Sequence, residues 1–181
     1  MLDYTYWQKS IRQRLDDREI IWVQLVRNHY YLLVGLSEEI SLSALAEKYG
    51  FGVQNKVAWI FQRQGEVIVS KSKNRVSEDK LMLLGLTSGL KDIYFDDGDL
   101  AYFICPEQKR DEIDAILFLE DIQVQAKVLS YKPLEMIEVY PKEDYTVLYE
   151  LLCELEQMPQ CVDICMNFAF DEREMEKIIE S

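Results

Sequence analysis

The chain has a single histidine, His29. It stands in the short connection Arg27-Asn28-His29 between two apolar runs. Alone there, it offers neither a zinc site nor a nucleophile–histidine triad. Cysteine is scarce as well: four in 181 residues is too few for a disulfide scaffold. Cys161 and Cys165 lie on an expected strand, where strand rise separates them by roughly 13 Å, too far to share one zinc. Cys153 falls on the preceding expected helix and Cys105 at a strand end. All four read as buried, reduced thiols, which points to a reducing compartment. The seven glycines form no phosphate-cradling loop, and no serine or cysteine stands in a nucleophile motif. No apolar run approaches the ~18 residues of a membrane span, and Met1-Leu2-Asp3-Tyr4 lacks the charged start of a secretory signal. The expectation is a cytoplasmic, non-enzymatic protein with no catalytic residues, no metal, no cofactor, no small-molecule substrate and no membrane contact.

Positive charge is the next shortage. Lys and Arg number 20 against 33 Asp and Glu, a net charge of −13. The imbalance is uneven. Residues 1–76 carry 11 cations against 8 acids, whereas residues 77–181 carry 9 against 25. A strong DNA binder usually presents an overall basic domain, so any contact with RNA, DNA or the ribosome is expected in the N-terminal third. The densest basic run is Lys71-Ser72-Lys73-Asn74-Arg75. Such a run is either a solvated loop or a phosphate contact. Lys71, Lys73 and Arg75, with Lys56 and Arg63 nearby in sequence, form the candidate patch. Arg12 and Arg14 add a second candidate beside a short amphipathic stripe, Trp7, Ile11 and Leu15. The acidic remainder suits a protein partner of basic character.

What the chain does contain is a clear order of elements between Glu66 and Leu129. Val67–Ser70 is β-branched. Ser77 is placed to cap a helix whose first turn holds Glu78 and Asp79, with Leu81, Leu84 and Leu86 as its apolar face and Gly89 as its stop. Ile93–Phe95 and Leu100–Cys105 flank the turn Asp96-Asp97-Gly98-Asp99. That turn lacks the ligand spacing and closing glutamate of a calcium loop. Pro106 opens a helix with Ile113, Ile116 and Leu117 inward. Ile122–Leu129 alternates as a strand. The order β-α-β-β-α-β is the split βαβ, or ferredoxin-like, unit.

Around it lie strands over 20–26 and 30–36, a helix capped by Ser41 through Tyr49, and a strand over 56–62 with Val57, Trp59 and Phe61 on one face. Further on come a strand over 134–140, a helix opened by Pro141 with Val147, Leu148, Leu151, Leu152 and Leu155 inward, a strand over 161–168 and an acidic helix over 171–179. The expected fold class is α+β: two small ferredoxin-like or split βαβ-type domains, one inserted into the other. Residues 1–18 form an N-terminal arm or short helix, 19–64 plus 131–181 the outer domain, and 65–130 the inserted one.

The chain resembles the YebC/PmpR family of bacterial proteins, which includes the mitochondrial translational activator of cytochrome c oxidase subunit I. The residues that carry the likeness are Val57-Ala58-Trp59-Ile60-Phe61 with Gly65 and Val67-Ile68, Glu78-Asp79-Lys80-Leu81-Met82, Asp96-Asp97-Gly98, Pro106, Glu135-Met136-Ile137 and Val162-Asp163-Ile164-Cys165-Met166-Asn167-Phe168. They are collinear over about residues 56–170. The resemblance implies a nested pair of α+β domains and a role in gene expression, as a DNA-binding transcriptional regulator or as a translation factor on the ribosome. It departs from the family at the N-terminus, where the basic three-helix domain is not seen. It departs again at Arg27-Asn28-His29 and Ser37-Glu38-Glu39-Ile40, which replace a Gly-rich turn and a basic stretch. The expectation is a reduced paralogue with weakened nucleic-acid binding, or else a protein-interaction module acting on a basic partner or a full-length relative.

Overall fold

The computed structural model describes residues 19–90, 92–140, 142–171 and 173, with only the backbone of Lys142. The helices expected over 1–18 and 171–179, Arg12 and Arg14, and Pro141 lie outside the described residues or largely so. The fold is α+β, and its contacts gather into two compact units. One includes residues 20–62 and the chain from Lys132 onward; the other includes residues 63–131.

The first unit begins with a hairpin. β1 (Ile21–Arg27) and β2 (Tyr30–Leu36) pair antiparallel from Arg27↔Tyr30 outward. Asn28 takes the left-handed φ of 55° that the tight turn requires, a conformation asparagine tolerates better than most residues. A short helix α1 (Ser43–Lys48) follows, then β3 (Gly52–Gln54), which takes the free edge of β1. With β9 (Cys161–Met166) the sheet order is β3-β1-β2-β9. One face of this sheet receives the long helix α5 (Lys142–Gln157). Leu148, Leu151, Leu152 and Leu155 recur at helical spacing and are all fully buried against Leu25, Leu32, Val34 and Ile164. Tyr30 pins the approach to α5: its hydroxyl donates to the Tyr140 carbonyl (2.9 Å) and accepts from the Tyr140 amide (3.1 Å).

Three expectations for this unit are corrected. Residues 56–60 are not a strand. β3 already occupies the edge they would need, and the Gln24 side chain captures the Ala58 amide at 2.7 Å, so the segment turns. Trp59, expected on a buried face, is 83% exposed. Ser41 is not the helix cap; that position is Leu42, and the Ser41 hydroxyl instead accepts from the Ser43 amide at 3.3 Å. The strand expected over 161–168 breaks at Asn167. Its side-chain oxygen accepts from the Tyr31 amide (2.8 Å) and its amide nitrogen donates to the His29 carbonyl (3.1 Å). The chain then leaves the sheet, and β10 (Phe168–Ala169) pairs in parallel with β8 (Ile137–Glu138), all that remains of the strand expected over 134–140.

The second unit is built on β4 (Phe61–Ser70), one unbroken strand that runs through Arg63, Gln64 and Gly65 and joins the end of the strand expected over 56–62 to Val67–Ser70. After it come a single helical turn α2 (Lys71–Asn74), α3 (Glu78–Thr87), β5 (Asp92–Phe95), β6 (Leu100–Cys105), α4 (Arg110–Leu119) and β7 (Val124–Pro133). The sheet order β5-β6-β4-β7 is that of the ferredoxin-like unit. Val67 and Val69 of β4 and Ala101, Phe103 and Cys105 of β6 meet Leu81 of α3 and Ile113 and Leu117 of α4. The alternate residues Glu66, Ile68 and Tyr102 are also buried. Glu66 accepts hydrogen bonds from the Ser130 hydroxyl and from Gln64 Nε2 (3.3 Å), as a buried carboxylate must.

Ser77 caps α3 through the Lys80 amide at 3.2 Å, and Gly89 closes it at φ +71°. The inward face differs from expectation: Leu86 is solvent-exposed and Gly85 points inward with Leu81. A Cβ on Gly85 would lie 2.0 Å from Ile93 Cδ1 and 2.8 Å from Cγ1. Gly85→Ala is therefore expected to destabilise by about 1–3 kcal/mol through overpacking, despite a helix-propensity gain of about 1 kcal/mol. Ile93→Val should recover part of that loss in the double variant, read by urea unfolding as a favourable coupling.

Candidate nucleic-acid interface

The basic run 71–75 is a rigid turn at the end of β4. Ser70 caps α2 by accepting from the Lys73 amide at 3.1 Å, and Arg75 ends it in the left-handed region at φ 51°. Asn74 ties the turn to the chain entering β7: its side chain donates to the Gln123 carbonyl (3.0 Å) and accepts from the Gln123 amide (2.7 Å). On the other side stands the acidic hairpin turn. Asp96 Oδ1 accepts from the amides of Gly98 (3.1 Å) and Leu100 (2.8 Å), which shapes the turn. Asp99 then accepts from the Ser70 hydroxyl and from the Ser72 amide at 2.6 Å, and its carbonyl accepts from the Lys71 amide at 2.8 Å.

This frame decides which cations are available. Lys71 reaches Glu78 Oε1 at 2.6 Å, with its ammonium 5.7 Å from the centre of the Phe95 ring, and keeps only 15% of its side chain exposed. Lys73 and Arg75 are exposed, and among the described residues neither forms an ion pair. Arg63 is half exposed and pairs with Glu107 at 3.2 Å. It lies near the opposite end of β4, roughly 26 Å from Lys71 at strand rise. Lys56 is exposed in the bend after β3, in the other unit. The structure thus brings together Lys71, Lys73 and Arg75, and does not bring Arg63 to them.

Other cations are committed to acids. Arg27 pairs with Asp144 at 3.0 Å and donates to the Tyr49 carbonyl at 3.3 Å. Lys48 pairs with Glu154, Lys80 with Glu120, and Lys127 with both Asp111 and Asp114. Apart from the largely buried Arg27–Asp144 pair, exposed pairs of this kind contribute little to stability, but each lowers the field available to a phosphate.

Sequence reasoning missed Ser70, Asn74 and Asp99 as the frame of the turn. The signal present was Asp99 itself, one acid more than a hairpin turn needs. Burial pushes the Cys105 and Cys153 thiols up, opposite to an activated thiolate. Among the described residues no group of three or more His, Cys, Asp or Glu is placed to hold a metal ion. No described helix is long and apolar enough to cross a membrane.

Comparison with known proteins now bears on the same region. Residues 41–168 match the family model Transcrip_reg, the TACO1/YebC second and third domain. The chain belongs to this family. A probable transcriptional regulatory protein of Thermotoga maritima is 31% identical over 140 residues, covering 76% of this chain and 54% of that protein. One of the same name from Methylacidiphilum infernorum is 29% identical over 126 residues, covering 68% and 49%. The chain thus spans about half the length of the curated relatives it matches. A crystal structure of a conserved hypothetical protein from Aquifex aeolicus shares the fold, with a TM-score of 0.65 at 16% identity over 87% of this chain and 68% of that one.

The Ser70 hydroxyl holds the Asp99 carboxyl below its ordinary value of 3.8, with the Ser72 amide adding to the effect. A depressed carboxyl keeps its hydrogen bonds at neutral pH and loses them only as pH falls through the lowered value. The Ser72 amide proton, followed by NMR, should therefore titrate with a midpoint below 3.8. In Asp99→Asn that titration should vanish.

Proposed function

We propose that the chain regulates gene expression, as a transcriptional regulator or as a translation factor at the ribosome. The observation that carries this reading is the family match over 41–168 together with relatives named probable transcriptional regulatory proteins. The direct contact assigned to this chain is small. Lys73 and Arg75 meet phosphate from a preorganised turn, with Lys71 held in place by Glu78 behind them. Two or three such contacts give weak, salt-sensitive binding, because each neutralised phosphate contributes about one counterion to the salt slope.

A second reading is favoured by the surface itself. The acidic body, in which Lys80 and Lys127 already pair with its own carboxylates, suits a protein partner of basic character better than a nucleic acid.

Co-sedimentation with ribosomes, and mobility shift with duplex DNA and single-stranded RNA, each over a salt series, test the first reading. Lys73→Gln with Arg75→Gln is expected to flatten the logarithmic salt slope by about two. An unchanged slope, or no binding at any salt by a folded protein, removes nucleic-acid contact by this turn and leaves the protein-interaction reading.

A further inference from the structure

The helical side of the second unit leaves large apolar residues in water. Leu83 and Leu86 of α3 are 61% and 62% exposed, and Phe118 and Leu119 of α4 are 77% and 80% exposed. An ion pair sets the ends of the two helices side by side. Lys80 Nζ lies 3.4 Å from Glu120 Oε2, which holds the first turn of α3 beside the end of α4. Leu83 is one turn beyond Lys80 and Leu119 adjoins Glu120, so both sit at that end. On α4, Asp111, Asp114, Ala115, Phe118 and Leu119 fall at i, i+3, i+4, i+7 and i+8, a single helical stripe. They line an open hollow of about 420 Å³. Ile113 and Leu117 take the inward side of the same helix, so this stripe has no part in the core.

A contiguous exposed apolar surface of this kind marks an interaction site, and its rim says what it accepts. Residues 110–121 hold five acids and one arginine. The nearby lysines are already engaged: Lys127 bridges Asp111 (3.1 Å) and Asp114 (2.8 Å), and Lys80 pairs with Glu120. We propose that this face docks a basic amphipathic helix of a protein partner. The apolar stripe of that helix covers Leu83, Leu86, Phe118 and Leu119, and its Lys or Arg flanks meet Glu112, Asp121 and the Asp111–Asp114 pair, whose two charges share the one Lys127. Nucleic acid would bring phosphates against the acidic rim. A second copy of the chain would set acids against acids across a two-fold axis. The surface deepens the protein-interaction reading and does not depend on the 71–75 turn, so loss of nucleic-acid binding leaves it standing.

The test uses the full chain, isotope-labelled, and a synthetic helical peptide with one leucine face and one lysine face. A scrambled peptide of equal composition is the control. Amide shifts confined to α3 and α4, salt-weakened affinity, and binding about tenfold weaker for the scrambled peptide are expected. Phe118→Ser with Leu119→Ser should weaken binding about tenfold with thermal unfolding unchanged, and Leu83→Ser with Leu86→Ser provides the same reading from the other helix should the first pair misfold. Equal binding of both peptides, or shifts elsewhere on the protein, overturns the proposal. So does a concentration-dependent dimer that the same substitutions abolish, or an RNA or DNA oligonucleotide shifting these same amides.

Discussion

β4 is the constraint on which the second unit depends. It pairs with β6 along one edge and neighbours β7 on the other, so every side chain it carries is committed to one face or the other. Val67 and Val69 turn to the helices, whereas Glu66 and Ile68 turn away and are buried too. A register slip of one residue would push Glu66 into the helical core and two valines out of it. The buried carboxylate therefore acts as a register lock. The hydrogen bond it accepts from Ser130 of β7 depends on the native pairing, and leaving such a group unpaired costs several kcal/mol.

The same strand delivers the basic turn. Because Ser70 ends β4 and caps α2, the position of Lys73 and Arg75 follows from the sheet rather than from a free loop. Asp99 fixes that turn from the neighbouring hairpin, 27 residues away in sequence. The cost is charge: the carboxylates that give the turn its shape also dilute its field. Preorganisation and electrostatic strength pull in opposite directions here, and the result is a small basic turn on an acidic protein.

The helices show how far local patterning reaches. In α5 every leucine expected inward is buried, because a stripe of that width leaves only one way to pack. In α3 the leucines are spread around the cylinder, and the core selects Leu81 and Gly85, leaving Leu83 and Leu86 outside. The choice turns on Ile93, whose side chain fills the space a larger residue than glycine would need. The packing thus leaves apolar side chains exposed that the core does not consume.

Much of this was legible in the residues alone. The β-α-β-β-α-β order, the Ser77 cap, the Gly89 stop, the Asp96–Asp99 turn and the leucine stripe of α5 are local chemistry, set by neighbours within a few positions. The likeness to the YebC family rested on such collinear pieces as well. Other features depended on residues distant in sequence and were settled by the tertiary structure. Residues 56–60 lost their strand because β3 took the edge and Gln24 took the Ala58 amide. Lys71 stays in the basic turn but is engaged by Glu78, and Arg63 stands toward the far end of β4 because that strand runs on unbroken. Hydrogen-bond partners and strand edges are contested between remote segments, and a linear pattern records the competitors without recording which of them wins.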